Sequence, residues 1–119
     1  MKTYQGHCHC GAVHFEVDTD LSAPFHCNCS LCIRRGTTIE IVPATRFRLV
    51  SGEAALTQYG SREFSKHYFC RTCGIQCFTR LTVNMKLENE PSVGVNLGCL
   101  DGVDMASLTP ALFDGAHAL

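Results

Sequence analysis

Nine cysteines in 119 residues are the most reactive feature of this chain, and their spacing sorts them. They read Cys8-x-Cys10, Cys27-x-Cys29-x-x-Cys32 and Cys70-x-x-Cys73, with Cys77 and Cys99 standing apart. Scattered thiols usually serve as small buried hydrophobes. Seven of these nine are instead clustered at the separations of metal ligands. A tetrahedral zinc takes four sulfurs at about 2.3 Å, which brings neighbouring sulfurs within about 4 Å, a distance that a C-x-x-C turn supplies. A C-x-C pair in extended backbone also suits, because residues i and i+2 share a face roughly 6.6 Å apart. Gly11 and Gly74 directly follow Cys10 and Cys73, where a metal knuckle calls for positive φ or close approach of backbone N–H groups to sulfur.

Seven clustered ligands do not divide into two complete four-ligand sites. Pairing Cys8 and Cys10 with Cys70 and Cys73 closes one site across a long loop, the form of a structural zinc. Cys27, Cys29 and Cys32 lie within six residues and leave a tetrahedral ion one open position, as catalytic zinc requires. Four residues are candidates to close that position and turn the second site structural: Cys77, Cys99, His67 and His26. Seven thiolates with two Zn2+ would take the formal net charge from −1 to about −4. Arg34 and Arg35, just past Cys32, are placed to offset that charge or to receive an anionic ligand. Asp101 and Glu53 are candidate general bases, whereas His7, His9 and His14 read as surface positions pointing away from the metal.

Composition restricts what these sites can serve. Hydrophobic residues make up 45% of the chain, and setting the nine cysteines aside lowers this to about 38%, thin for a domain without Trp. Ten Lys+Arg against eleven Asp+Glu leave no field that would draw the chain to nucleic acid or an anionic membrane. No stretch approaches the ~20 apolar residues of a membrane span. The residues before Cys8 contain no apolar run of the secretory type, so a cytoplasmic, reducing location is expected, and with it thiols and metal rather than disulfides.

The elements that must position these ligands read as strands. Apolar alternation marks Val13/Phe15/Val17, Thr38 to Val42, Phe47 to Val50, Glu63 to Phe69, Ile75 to Leu81 and Val93/Val95/Leu97. Turn signals separate them at Pro24, Gly36, Pro43, Ser51-Gly52, Gly60-Ser61 and Glu90-Pro91. Helix is scarce, with one short turn expected within Val103 to Leu108. An all-β fold follows, and no linker or low-complexity run divides it into more than one domain.

Four segments in order carry a family resemblance: G-x-C-H-C-G-x-V-x-F (Gly6 to Phe15), C-N-C-S-x-C-x-R-x-G (Cys27 to Gly36), H-x-F-C-x-x-C-G (His67 to Gly74) and N-x-G-x-L-D (Asn96 to Asp101). Together they resemble the glutathione-dependent formaldehyde-activating enzymes, a family that includes centromere protein V. Phe113-Asp114-Gly115 resembles the closing segment of its short bacterial members. The resemblance implies a Mss4-like fold of small antiparallel sheets with zinc at their edges. It implies two zinc ions per chain, a structural one on Cys8, Cys10, Cys70 and Cys73 and a catalytic one on Cys27, Cys29 and Cys32. The activity it implies is carbon–sulfur lyase chemistry on a small thiol adduct such as S-hydroxymethylglutathione. The alternative is a non-catalytic binding or scaffold module of the same fold. A nucleic-acid reader is disfavoured, because no basic stripe with aromatics is present.

Overall fold

The computed structural model describes residues 1–60, 62–82 and 90–118, so the Ser61 half of the expected Gly60-Ser61 turn lies outside the described residues. Among the described residues ten strands form two sheets, six of them at the alternating segments. The smaller, in the order β1-β2-β5, contains β1 (Lys2–His7), β2 (His14–Thr19) and β5 (Phe47–Ser51). The larger holds β3 (Phe25–Cys27), β4 (Ile39–Pro43), β6 (Leu56–Tyr59), β7 (Ser65–Cys70), β8 (Gln76–Leu81), β9 (Ser92–Asn96) and β10 (Ala111–Phe113). Its order is β10-β3-β4-β9-β8-β7-β6, antiparallel except for the β10–β3 pair. Short helices α1 (Ser30–Arg35) and α2 (Gly115–Ala118) complete the elements. The turn expected within Val103 to Leu108 is a 3-10 turn at Met105–Ser107.

The core lies between the sheets. In β2 every second residue, Phe15, Val17 and Thr19, is buried, which the period of two in a strand demands of a sheet covered on one face. These residues meet Val42, Phe78, Val93 and Val95 of the larger sheet. Three rings knit the interface: Phe47 lies 4.7 Å from Phe78 and 5.2 Å from Phe15 between centroids, and Phe15 meets Phe78 edge-on at 6.2 Å. Burying each such ring stabilises the fold by roughly 1.5–3 kcal/mol, a large share of the whole in so short a chain. Glu40 is buried as well, satisfied by the Thr19 hydroxyl and by the Ala23 N–H at 2.9 Å.

Six elements lack a sequence signal and appear only in the fold, α2 with its four residues among them. Strand β1 buries only Gly6, which must be glycine because a Cβ there would fall 2.3 Å from the Phe15 ring. Strands β3, β6 and β10 are three or four residues long, too short for alternation to register. Helix α1 buries none of its six residues, so it carries no periodicity either. The far face of the larger sheet, away from the core, is where the candidate site forms.

Candidate metal centres and the adjoining cavity

Two hairpin turns build the first cluster in the same way. The turn from β1 to β2 carries Cys8 and Cys10 and is closed by the Gly11 N–H on the Cys8 carbonyl at 3.2 Å. The turn from β7 to β8 carries Cys70 and Cys73 and is closed by the Gly74 N–H on the Cys70 carbonyl at 2.7 Å. Both glycines adopt the left-handed φ that the knuckle reading requires, +82° at Gly11 and +79° at Gly74. The C-x-C pair departs from the extended form expected of it, since His9 and Cys10 lie in a turn. The reason is chain reversal: the β1–β2 hairpin must turn where its ligands lie.

The four sulfurs of Cys8, Cys10, Cys70 and Cys73 all lie within 4.8 Å of one another. Cys10 is 3.6 Å from Cys8 and 3.7 Å from Cys70. Four sulfurs at about 2.3 Å from one tetrahedral ion would be ~3.8 Å apart, so the donor set fits a Zn2+-sized soft cation. The nine cysteines are all free thiols, as a metal rather than disulfide framework requires. The Val13 N–H points at Cys8 Sγ at 3.3 Å. N–H groups of Cys10 and Ile75 bring Cys73 down to about 6.

The second cluster comes from one short stretch. Cys27 ends β3, Cys29 is the N-cap of α1 and Cys32 lies in its first turn, with the three sulfurs within 4.8 Å. Each turn of the backbone points an N–H at the preceding sulfur, Cys29 N–H to Cys27 Sγ and Cys32 N–H to Cys29 Sγ, both at 3.4 Å. Burial, then the adjacent sulfurs of Cys29 and Cys27, push the Cys32 thiol up to about 12. Asn28, between the first two cysteines, ties the cluster to the C-terminal segment: its amide donates to Asp114 Oδ1 at 3.1 Å and its carbonyl accepts from the Ala116 N–H at 2.9 Å.

Among the described residues no fourth Cys, His, Asp or Glu joins this cluster. Cys77 and Cys99 point at the backbone carbonyls of Ile75 and Gln76 instead. His26 is exposed and bonded to Thr38 Oγ1 at 2.8 Å, because alternation in β3 turns it to the face opposite Cys27. The two candidate bases are elsewhere. Asp101 pairs with His7 at 3.2 Å, and Glu53 begins a 3-10 turn between β5 and β6. His9 is exposed, and His14 stacks on His7 with ring centroids 4.5 Å apart and bonds Gln5.

His67 is different. It belongs to β7, yet lines the same cavity of about 540 Å3 as Cys27, Cys32 and Arg35. Its Nδ1 lies 2.9 Å from Thr79 Oγ1 and 3.4 Å from Arg35 Nη1. Guanidinium only donates, and Gln76 donates to the Thr79 oxygen at 3.2 Å, so Nδ1 is the acceptor and the ring N–H sits on Nε2. Burial, then the cations of Arg35 and Arg62, lower His67 to about 4 and keep it neutral. A second cavity of about 600 Å3 adjoins the first through Arg62, Ser65 and His67, and Arg34, Ser30 and Tyr59 also line it. Of the two arginines expected to face an anion, Arg35 thus lies beside the cysteines and Arg34 in the adjoining space. Sequence reasoning missed Thr79, Arg62 and the cavity itself. The alternation over Glu63 to Phe69, which sets Ser65 and His67 on one face, was the available signal.

Comparison with known proteins agrees with this arrangement. A crystal structure of a Rhodobacter sphaeroides protein superposes with a TM-score of 0.79 at 34% identity, covering 92% of this chain and 99% of that one. An uncharacterized lyase of Schizosaccharomyces pombe is 26% identical over 83 residues, 69% of this chain and 61% of the relative, so this chain spans less than two thirds of that protein's length. Residues 3–113 match the family described as glutathione-dependent formaldehyde-activating enzyme. With the cysteine clusters, the all-β architecture and this match in agreement, the chain belongs to the glutathione-dependent formaldehyde-activating enzyme family.

Proposed function

We propose that this protein is a zinc-dependent carbon–sulfur lyase acting on the adduct of a small thiol with an aldehyde, of which S-hydroxymethylglutathione is the family's example, and that residues 3–115 form one domain working in a reducing, cytoplasmic compartment. The observation that carries the reading is the three-sulfur cluster of Cys27, Cys29 and Cys32, incomplete among the described residues and facing a cavity with Arg35 and His67 in its wall. Cys8, Cys10, Cys70 and Cys73 would hold a structural zinc, and Cys27, Cys29 and Cys32 a catalytic one. A zinc with one open position lowers the pKa of a thiol bound there, so that it leaves and attacks as thiolate.

The chain's own groups supply the rest. Arg34 and Arg62 line the adjoining cavity and suit the carboxylates of an anionic thiol such as glutathione, in the geometry guanidinium favours. Neutral His67 presents Nε2–H, a donor for the oxygen of the adduct in either direction of reaction. Thr79 and Arg35 hold that tautomer in place from the other side of the ring. In cleavage the C–S bond breaks with its electron pair going to sulfur. The hydroxyl proton leaves as the carbonyl forms, and the released thiolate or the solvent takes it up. Nothing is oxidised or reduced, and no water is consumed.

The test is exchange spectroscopy on equilibrating glutathione and formaldehyde. Protein loaded with two zinc ions should broaden or speed the interconversion of adduct and free thiol, and Cys32→Ala should abolish the effect while keeping one zinc. Unchanged exchange with fully loaded protein would overturn the reading.

A further inference from the structure

The far face of the larger sheet is laid out in rows by its register. Ile41 lies opposite Gly94, Gly94 opposite Thr79, and Thr79 opposite His67. One member of that row has no side chain. Gly94 sits in the middle of β9, where glycine weakens a strand, and it is not among the glycines with positive φ. Nor does packing exclude a side chain: a Cβ there would meet Ile39 Cγ2 at 3.5 Å and Thr79 Cβ at 3.7 Å, ordinary contacts. What the glycine does is deepen the floor of the 540 Å3 cavity beside Cys27 and Cys32.

The walls of that cavity are sorted by chemistry. Ile39 and Ile41 rise on one side with Phe25 and Phe113, whose rings meet edge-on at 6.2 Å, and Leu81 and Phe64 stand on the other. Polar side chains gather towards His67, where the cavity joins its cationic neighbour through Arg62 and Ser65. Among the described residues the arginines of the two cavities, Arg34, Arg35 and Arg62, stand beside the cysteines and in the cationic lobe, and there the charged body of a glutathione-like carrier finds partners. In the apolar lobe its carboxylates and amides would be desolvated without hydrogen bonds, a cost of several kcal/mol in general. A hydroxymethyl group, in turn, is far too small to cover the aromatic and aliphatic walls.

We propose that the lobe floored by Gly94 binds an apolar alkyl or aryl substituent on the aldehyde-derived carbon, so that the substrate is the thiol adduct of an aldehyde larger and more apolar than formaldehyde. This rests on the thiol-adduct reading given above. The reaction is balanced as before: R–S–CH(OH)–R′ gives R–SH and R′–CHO, with the C–S electron pair kept by sulfur and the hydroxyl proton taken up by the departing thiolate. The carrier sulfur sits beside Cys27 and Cys32, its charged body extends past His67 into the cationic lobe, and R′ points over Gly94.

Calorimetric titration of the zinc-loaded protein with two unreactive thioethers, S-methylglutathione and S-benzylglutathione, and with the free thiol benzyl mercaptan tests the assignment. Burying ~100 Å2 of aryl surface at about 25 cal/mol per Å2 predicts that S-benzylglutathione binds at least tenfold tighter than S-methylglutathione. Gly94→Val, which suits a strand and fills the floor, should remove that preference and leave the S-methylglutathione affinity within about twofold. Ile41→Phe should do the same from the neighbouring strand. Equal affinity of the wild-type protein for the two thioethers would overturn the proposal while leaving the lyase reading intact. Binding of benzyl mercaptan alone would also overturn it, by placing the apolar group on the thiol side. Binding of none of the three would overturn the thiol-adduct reading itself.

Discussion

The two cysteine clusters share a ligand type and differ in almost everything else. The first draws its four sulfurs from two hairpin turns, Cys8 and Cys10 with Cys70 and Cys73, and so closes a loop of some sixty residues. The second takes three sulfurs from six consecutive residues at the junction of β3 and α1 and closes almost no loop. Cross-linking distant segments removes much of the unfolded chain's freedom, whereas cross-linking neighbours removes little. A metal held by the first cluster would therefore stabilise the fold, its four donors leaving no position for substrate. A metal held by the second would add little to holding the chain together, and two of its three sulfur-bearing residues, Cys27 and Cys32, line a cavity. Sequence separation of the ligands, not their chemistry, sets the two clusters apart.

The largest expected effect lies in the first cluster. Cys70 is fully buried, and Cys70→Ser should lose one zinc, lower the melting temperature by more than about 10 °C and leave much of the chain unfolded at 37 °C, since structural zinc contributes folding energy directly. Metal content and thermal unfolding followed by circular dichroism measure this. Cys29→Ala should behave in the opposite way. It should also lose one zinc and all adduct exchange, yet cost only about 1–2 kcal/mol of stability, mostly from the helix N-cap that Cys29 provides. A melting temperature that falls as far for Cys29→Ala as for Cys70→Ser would break the distinction between the clusters.

The smallest effect sharpens the comparison from the cavity side. His67 is held neutral by burial and by Arg35 and Arg62, so its ring resonances should titrate with a midpoint of about 4. The direction for stability follows: as pH falls from the ordinary histidine range of ~6.5 to about 4, the unfolded chain takes up a proton that the folded chain refuses, and folding weakens across that window. Arg35→Ala should move the midpoint upward, and Arg71→Ala, on the first cluster's knuckle, should not. A His67 midpoint unmoved by Arg35→Ala would separate the arginine from the ring electrostatically.

How far these features were legible in the sequence varies with distance along the chain. Both clusters were legible from spacing, because C-x-C, C-x-x-C and the following glycines are local demands of the knuckle. Six strands were legible from apolar alternation, as in Phe15 and Val17 against Glu16 and Asp18. Strand β1 was not, because its close packing against Phe15 is made by a glycine, nor was α1, whose capping depends on the Cys29 thiol and not on an apolar stripe. Which carboxylates lie near the second cluster was not legible either: Asp101 pairs with His7, and Glu53 begins a 3-10 turn between β5 and β6. Proximity in sequence to Cys99 or to a turn says nothing about which face of which sheet a carboxylate occupies.

The sequence by itself determined the ligand count, its division into four and three, and the β character of the chain, because each depends on residues within a few positions of one another. Only the tertiary structure decided that His67 and Arg35, 32 residues apart, meet at 3.4 Å, and that Gly94 is a cavity floor. Register across β4, β9, β8 and β7 sets both, and register is fixed by which face of the sheet is buried against Phe15, Phe47 and Phe78. A slip of one residue would turn His67, Thr79 and Ile41 into the core and leave the open cluster with no cavity to face.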